Sequence, residues 1–169
     1  KDQGETVTVT INPQKSQVLF QMKEVEMVSQ LIQGAFPDYK QLIPKNYTTR
    51  AIVNVGEFLR GVKSASVFAR DGSGIVKSMI RAGSQSEPGK VELMARAEEI
   101  GENKVELGAE VAGQEAKIAF NSKYLTDVFG VLEDAQVALE VTTPSSPGVF
   151  RPIEGDDWVQ VVMPMFVQW

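Results

Sequence analysis

Arg60, Lys63 and Arg70 are spaced for one stripe of a helix. At about 100° per residue, Lys63 and Arg70 fall within roughly 20° of each other, with Arg60 some 60–80° away. A row of fixed cations with no interleaved aromatic suits phosphate oxygens rather than stacked bases. Lys123, at the start of a second helical segment, adds a fourth charge, although an ordinary solvated helix face would carry the same residues. A second group is Val161-Val162-Met163-Pro164-Met165. Proline cannot donate to a ladder, so Pro164 should end a strand and leave Met163 and Met165 on a free edge. Methionines there offer an adaptable surface to varied apolar partners, or else complete a last core strand. Asp156-Asp157 has no further acidic ligand spaced for a divalent ion and reads as a solvated hairpin turn. Gly72 and Gly74 follow a helix, whereas a phosphate loop must precede one to use its N-terminal amides. Neither a metal site nor a cofactor is expected.

Composition narrows the chemistry further. The 169 residues contain no cysteine and no histidine. Disulfides, thiolate zinc sites and cysteine nucleophiles are thereby excluded, as is the commonest general base. Carboxylate chemistry stays open, with 22 acidic residues. A net charge of −5 argues against a uniformly basic nucleic-acid binder but allows basic residues gathered on one face. Hydrophobic content of 43% supports a real core, and no apolar run approaches the roughly 20 residues that span a bilayer. The chain opens on Lys1 without a charged-then-apolar leader and reads as a fragment of a longer protein.

The elements that must position these residues show in the periodicity. Val7, Val9 and Ile11 alternate with threonines, Asn12-Pro13 turns the chain, and Val18, Phe20 and Met22 follow, then a third strand over 25–32. Pro37 to Pro44 reads as an interdomain linker. A short strand at Ala51 and Val53 precedes a helix whose apolar face is Val55, Phe58, Leu59, Val62, Ala65 and Ala69. Strands are expected at 75–81, 90–97 and 104–111. The order then repeats. Ala116, Ile118 and Phe120 form a strand, Asn121 or Ser122 caps a helix with Tyr124, Leu125, Val128, Phe129 and Leu132 on its apolar face, and strands follow near 137–142, 149–153 and 158–163. Between about 48 and 163 the chain therefore spells strand-helix-strand-strand-strand twice. Residues 1–33 match only the last three strands of such a unit, and a lone meander leaves one apolar face uncovered. Val67 and Phe68 sit at the first helix end, off its apolar face, and could serve a subunit contact or a satellite core.

Several segments in order, Phe36-Pro37-Asp38-Tyr39 with Leu42-Ile43-Pro44-Lys45, Phe120-Asn121-Ser122-Lys123-Tyr124-Leu125, Ser145-Ser146-Pro147 and Val161 to Met165, resemble the bacterial replicative sliding clamp, the beta subunit of DNA polymerase III. The resemblance covers essentially the whole chain, with 1–44 as the truncated end of the middle domain plus linker and 45–169 as the complete third domain. It implies an α+β DNA clamp fold, a doubled β-α-β-β-β unit with antiparallel sheets outside and two helices on the inner face. It also implies a non-catalytic accessory subunit of the polymerase, cytoplasmic and nucleoid-associated in bacteria, with no membrane partner.

In such clamps, three-domain protomers pair head to tail as a homodimer ring around duplex DNA, and a basic bore coexists with an acidic exterior. Matched by position, Arg60, Lys63, Arg70 and Lys123 would face DNA, and Val67 and Phe68 the partner protomer. A short glutamine- and leucine-containing peptide of the polymerase, the clamp loader or repair proteins would dock against Pro37, Leu42, Asn121, Tyr124, Pro144, Ser146, Val161, Val162, Met163, Pro164 and Met165. Two departures stand out. Gln41 occupies a position often basic in the family, and the tail Phe166-Val167-Gln168-Trp169 is longer and more aromatic than usual. The tail is expected to lie across its own pocket or a neighbour's, and the fragment alone is expected not to close a ring. Two other classes remain open, a β-rich peptide-binding adaptor that never meets DNA and a carboxylate-dependent hydrolase.

Overall fold

The computed structural model describes residues 6–35, 38–70, 74–97, 101–133, 135–155 and 157–169. Two compact units are present, 1–38 and 39–169. The first is an antiparallel meander of β1 (Thr8–Ile11), β2 (Gln17–Gln21) and β3 (Glu26–Gln30). Asn12 makes its first turn, its Oδ1 accepting from the Ser16 and Gln17 amides at 2.8 and 3.0 Å. Such side-chain capture of local backbone is why Asn punctuates strands. Val9, Ile11, Met27 and Val28 stay exposed, as expected of a meander with no covering layer.

The second unit opens with a single 3₁₀ turn over Tyr39–Leu42, where a plain linker was expected. Next come β4 (Thr49–Asn54), α1 (Val55–Ala69), β5 (Ile75–Arg81), β6 (Lys90–Ala97) and β7 (Gly101–Gly108). Then come β8 (Glu110–Gly113), β9 (Ala116–Asn121), α2 (Ser122–Phe129), β10 (Gln136–Val141), β11 (Gly148–Arg151) and β12 (Gln160–Val162). The sheet orders are β12-β11-β10-β4-β8 and β7-β6-β5-β9. The strand expected at 104–111 is in fact a longer run broken at Ala109, so that β7 serves one sheet and β8 the other. α2 stops at Phe129 rather than reaching Leu132, because Gly130 closes the last turn with its amide on the Thr126 carbonyl, and Gly is a poor helix residue.

The repeat exchanges its first strands. β4 begins the first unit yet pairs with β10 of the second, Asn54 opposite Gln136 through Thr49 opposite Val141. β9 begins the second unit yet pairs with β5 of the first, Asn121 opposite Ile75 through Ala116 opposite Ile80. The junctions match in detail. Asn54 caps α1 by accepting from the Glu57 amide, and Asn121 caps α2 by accepting from the Lys123 amide, both at 2.9 Å. The first amide of each helix donates across to the residue before the facing strand, Val55 to Ala135 O at 3.0 Å and Ser122 to Gly74 O at 2.8 Å.

The two helices pack on each other through stacked Phe58 and Phe129, ring centroids 4.4 Å apart. Phe150 of β11 meets both rings edge-on and lies 6.0 Å from Phe120 of β9, so all four elements share one aromatic knot. α1 buries Val55, Phe58, Gly61, Val62, Ala65 and Ala69. Gly61 belongs to that face because a Cβ there would stand 3.0 Å from Leu93 Cδ1 of β6. Gly148 is tighter still, since a Cβ would overlap the Phe120 ring, with Cε1 at 2.8 Å. Gly148→Ala should therefore destabilise the fold by about 1–3 kcal/mol through overpacking. Gly108→Ala, which meets open space, should stay within about 0.5 kcal/mol of wild type in the same urea titration.

Candidate peptide cleft and basic helix face

The strand-to-helix junction of the second repeat builds one side of a cleft. Asn121 is spent as the N-cap, which fixes the first turn of α2 and leaves Tyr124 exposed on its outer side. β12 supplies the other side. Its pairing with β11, Val161 opposite Val149 and Val162 opposite Gly148, buries Val162 and leaves Met163 exposed beyond the last ladder pair. Tyr124, Val161, Val162 and Met163 line a common cleft of about 340 Å³, joined by Asp127, Val128 and Gln160. Sequence reasoning missed Asp127 as a cleft residue. Its signal was helical spacing, because positions three and four after Tyr124 share its face.

The remaining expected pocket residues are not gathered there. Pro144 lines a separate cavity of about 370 Å³ with Thr48, Met79, Arg81 and Gln114. Ser146 is held in the β10–β11 loop, where its amide donates to Thr143 Oγ1 at 3.1 Å and its hydroxyl lies 2.8 Å from the same atom. Leu42 is exposed on the 3₁₀ turn, and Pro37 lies outside the described residues. Pro164 is half-buried, and Met165 donates its amide to Ala119 O at 2.7 Å.

That hydrogen bond corrects the expectation that the tail covers its own pocket. Residues 166–169 do not cross their own cleft. The chain leaves Met163, runs along the free edge of β9 and sets Trp169 against the sheet face carrying Lys77 and Lys117, whose Nζ atoms lie 5.5 and 5.8 Å from the ring centroid. The driving interaction is the attraction of ammonium groups to an aromatic face.

Arg60, Lys63 and Lys123 are exposed, as is Arg70, whose backbone amide caps α1 on the Ser66 carbonyl. None of the four makes an ion pair among the described residues. At the end of the same helix Val67 is 58% exposed, whereas Phe68 is half-buried against the core. Phe68 thus spends much of its surface within its own unit.

The opposite situation holds on the outer face of the four-stranded sheet. Glu92 of β6, only 2% exposed at its side chain, takes Arg81 at 3.1 Å and Lys90 and Lys104 at 3.4 Å each. Glu106, directly across on β7, takes Lys90 at 3.1 Å and Lys104 at 2.9 Å. Hydrogen bonds from Lys104 and then Lys90, followed by their charges, hold the Glu106 carboxyl down at about 2. The same bonds raise both lysines. A general acid or base works best with a pKa near the operating pH, and these groups are displaced the other way. The cluster was invisible in sequence because its charges come from three strands brought together only by register.

Two open sheets exchanging strands beneath a pair of helices define a DNA clamp domain. Residues 40–166 match the family of the DNA polymerase III beta subunit, C-terminal domain. The chain is 32% identical over 151 residues to the beta sliding clamp of Staphylococcus epidermidis, covering 89% of this chain and 39% of that protein. The Staphylococcus aureus protein is matched over the same shares, again at 32% identity. Among solved structures, the DNA polymerase sliding clamp from Bacillus subtilis superposes with a TM-score of 0.78 at 32% identity over 99% of this chain and 43% of that one. The Thermotoga maritima DNA polymerase III beta subunit gives 0.77 at 26% identity over 96% and 42%. The chain belongs to the DNA polymerase III beta subunit family. It spans about two-fifths of the length of the curated relatives it matches.

The depressed Glu106 pKa has a consequence for acid stability. A carboxylate whose folded pKa lies below its unfolded value of 4.5 stabilises the fold fully above that pH and loses the contribution as pH falls toward about 2. Wild type should therefore lose more of its melting temperature than Glu106→Gln between pH 5 and pH 2. Parallel acid losses in the two proteins would refute the assignment.

Proposed function

We propose that this chain is part of a replicative sliding clamp. In this reading it acts without catalysis of its own, encircling duplex DNA and tethering the polymerase and other clamp-binding proteins through the cleft at Tyr124 and Met163. The observation that carries the proposal is the separation of charge within the second unit. On the outer sheet face Arg81, Lys90 and Lys104 are tied to Glu92 and Glu106, leaving Lys77 and Lys117 beside the Trp169 ring, while Arg60, Lys63, Arg70 and Lys123 on the helices pair with no carboxylate among the described residues. Unpaired cations on the helices are available to phosphates, and their contacts carry no sequence information. A ring that cannot be lost sideways can then slide, because one set of phosphates replaces another at nearly constant energy.

The ring is a head-to-tail homodimer of longer protomers, with Val67 and the exposed part of Phe68 toward the partner. It works at the nucleoid, in the bacterial cytoplasm, and these residues alone do not close it. The cleft takes a short peptide from the polymerase or the clamp loader. Tyr124 offers a hydroxyl beside an apolar wall, the combination that fixes a peptide's orientation. Leu42, Ser146 and Pro144 extend the site only if the peptide reaches beyond the Tyr124 cleft.

Two measurements on the full-length protein test the proposal. Arg60→Ala with Lys63→Ala should lower the slope of log K against log salt for a short duplex by about 2, near 0.9 for each phosphate no longer neutralised. Tyr124→Ala should weaken a labelled glutamine- and leucine-containing peptide about tenfold or more, in line with loss of a central aromatic anchor. Unchanged DNA binding with weakened peptide binding would favour the DNA-free adaptor.

A further inference from the structure

We propose that Trp169 is a positioning residue for the peptide cleft, latching the tail to the outer sheet face so that Met163 is held as the cleft wall. This rests on the reading of the Tyr124–Met163 cleft as the peptide site. Met163 lies just beyond the end of β12, is 56% exposed, and has no ladder partner to fix it. The tail beyond it, residues 164–169, is anchored at three points. Met165 N donates to Ala119 O at 2.7 Å, extending the free edge of β9. Gln168 O accepts from Lys77 Nζ at 2.6 Å. The Trp169 ring takes Lys77 and Lys117 on its face.

The register explains why these two lysines act together. Lys77 stands opposite Ala119, and Lys117 lies two residues before Ala119 on the same side of β9. The ring that meets both ammonium groups ends a strap that begins at Ala119, where the Met165 amide is bonded. Ala119 is fully buried on a face where Lys117 remains exposed, as a covering strap requires. Neither lysine has a carboxylate partner among the described residues. Their charges are available to the ring, with Lys77 also donating to Gln168 O.

The latch acts through chain length. From Trp169 back to Met165 the strap is held at both ends, and only Pro164 separates Met165 from Met163. Proline fixes its own φ near −65° and pushes the preceding residue into extended conformation. Met163 is therefore confined by a rigid neighbour that is itself anchored. Releasing Trp169 leaves the strap on the Met165 edge hydrogen bond and the exposed one between Lys77 and Gln168, and Met163 gains freedom that a bound peptide must remove again.

The test uses the full-length protein, with a fluorescein-labelled synthetic peptide containing glutamine and leucine and with amide hydrogen exchange. Trp169→Ala should weaken the peptide about five- to thirtyfold, the scale of two exposed cation–π interactions. It should also speed exchange at Met165 while leaving the core amides and the melting temperature unchanged. Trp169→Phe, which keeps a ring face, should recover part of the affinity. Lys77→Gln with Lys117→Gln should reproduce the Trp169→Ala loss. Equal peptide affinity in wild type and Trp169→Ala would overturn the latch, as would a loss accompanied by faster exchange throughout the core. Failure of wild type itself to bind the peptide would overturn the reading of the cleft, and the latch with it.

Discussion

The second unit depends on an exchange. Each repeat gives its first strand to the other's sheet, so neither half can complete its sheet alone. β4 needs β10 on one side and β8 on the other, and β9 needs β5. The helices continue directly from those donated strands through Asn54 and Asn121, and their axes are set where the strands end. Stacking of Phe58 on Phe129 is the result, and Phe150 closes it from β11. A fault at either capping asparagine would be felt in both sheets, because each helix start also donates to the opposite repeat. The outcome is one scaffold with two distinct surfaces, a helix face and a cleft at one strand-to-helix junction.

Charge is divided by the same plan. On the sheet face, Glu92 and Glu106 stand directly opposite each other and would repel if alone. Lys90 and Lys104 bridge both carboxylates, converting a like-charge pair into a closed network. Exposed pairs of this kind are worth little singly, but Glu92 is buried and would be costly if its partners were removed. On the helices no such closure exists. A net charge of −5 over the chain therefore says little about where a polyanion could approach. Only the pairing pattern shows which cations are free.

Much of this was legible in the sequence because it rests on periodicity and local capping. The order of elements in both repeats, the apolar face of α1 and a cap for α2 at Asn121 or Ser122 derive from spacing alone. The break at Ala109 was not legible, since Val105, Leu107, Ala109 and Val111 alternate without interruption and only the two sheets' demands split the strand. The exchange of first strands was equally hidden, because alternation fixes a strand's faces but not its neighbour. In the cleft, family resemblance named Tyr124 and Val161 to Met163, which the structure brings together. Asp127 and Gln160 needed the fold. Trp169 was noticed as unusual but its place away from its own cleft was not legible, because Lys77 and Lys117 are 40 residues apart and meet only through the β5–β9 pairing.

The cleft and the helix face make opposite demands on rigidity, and one scaffold meets both. A surface that slides over phosphates must present charges at the ends of long, mobile side chains, since a fixed fit to one register would hold the protein in place. Arg60, Lys63 and Lys123 are long side chains of that kind, exposed on the helices and without an ion pair among the described residues. A cleft that binds peptides does better when its walls are set before the ligand arrives, because ordering them on binding subtracts from affinity. Val162 is fixed by its ladder pairing with Gly148, whose missing side chain makes room for the Phe120 ring below. Tyr124 is fixed by the helix cap. Met163 alone lies beyond the ladder, and the segment after it carries three anchors to β9 and β5. In the proposed clamp, order is thus supplied at the peptide cleft and withheld on the helix face offered to DNA.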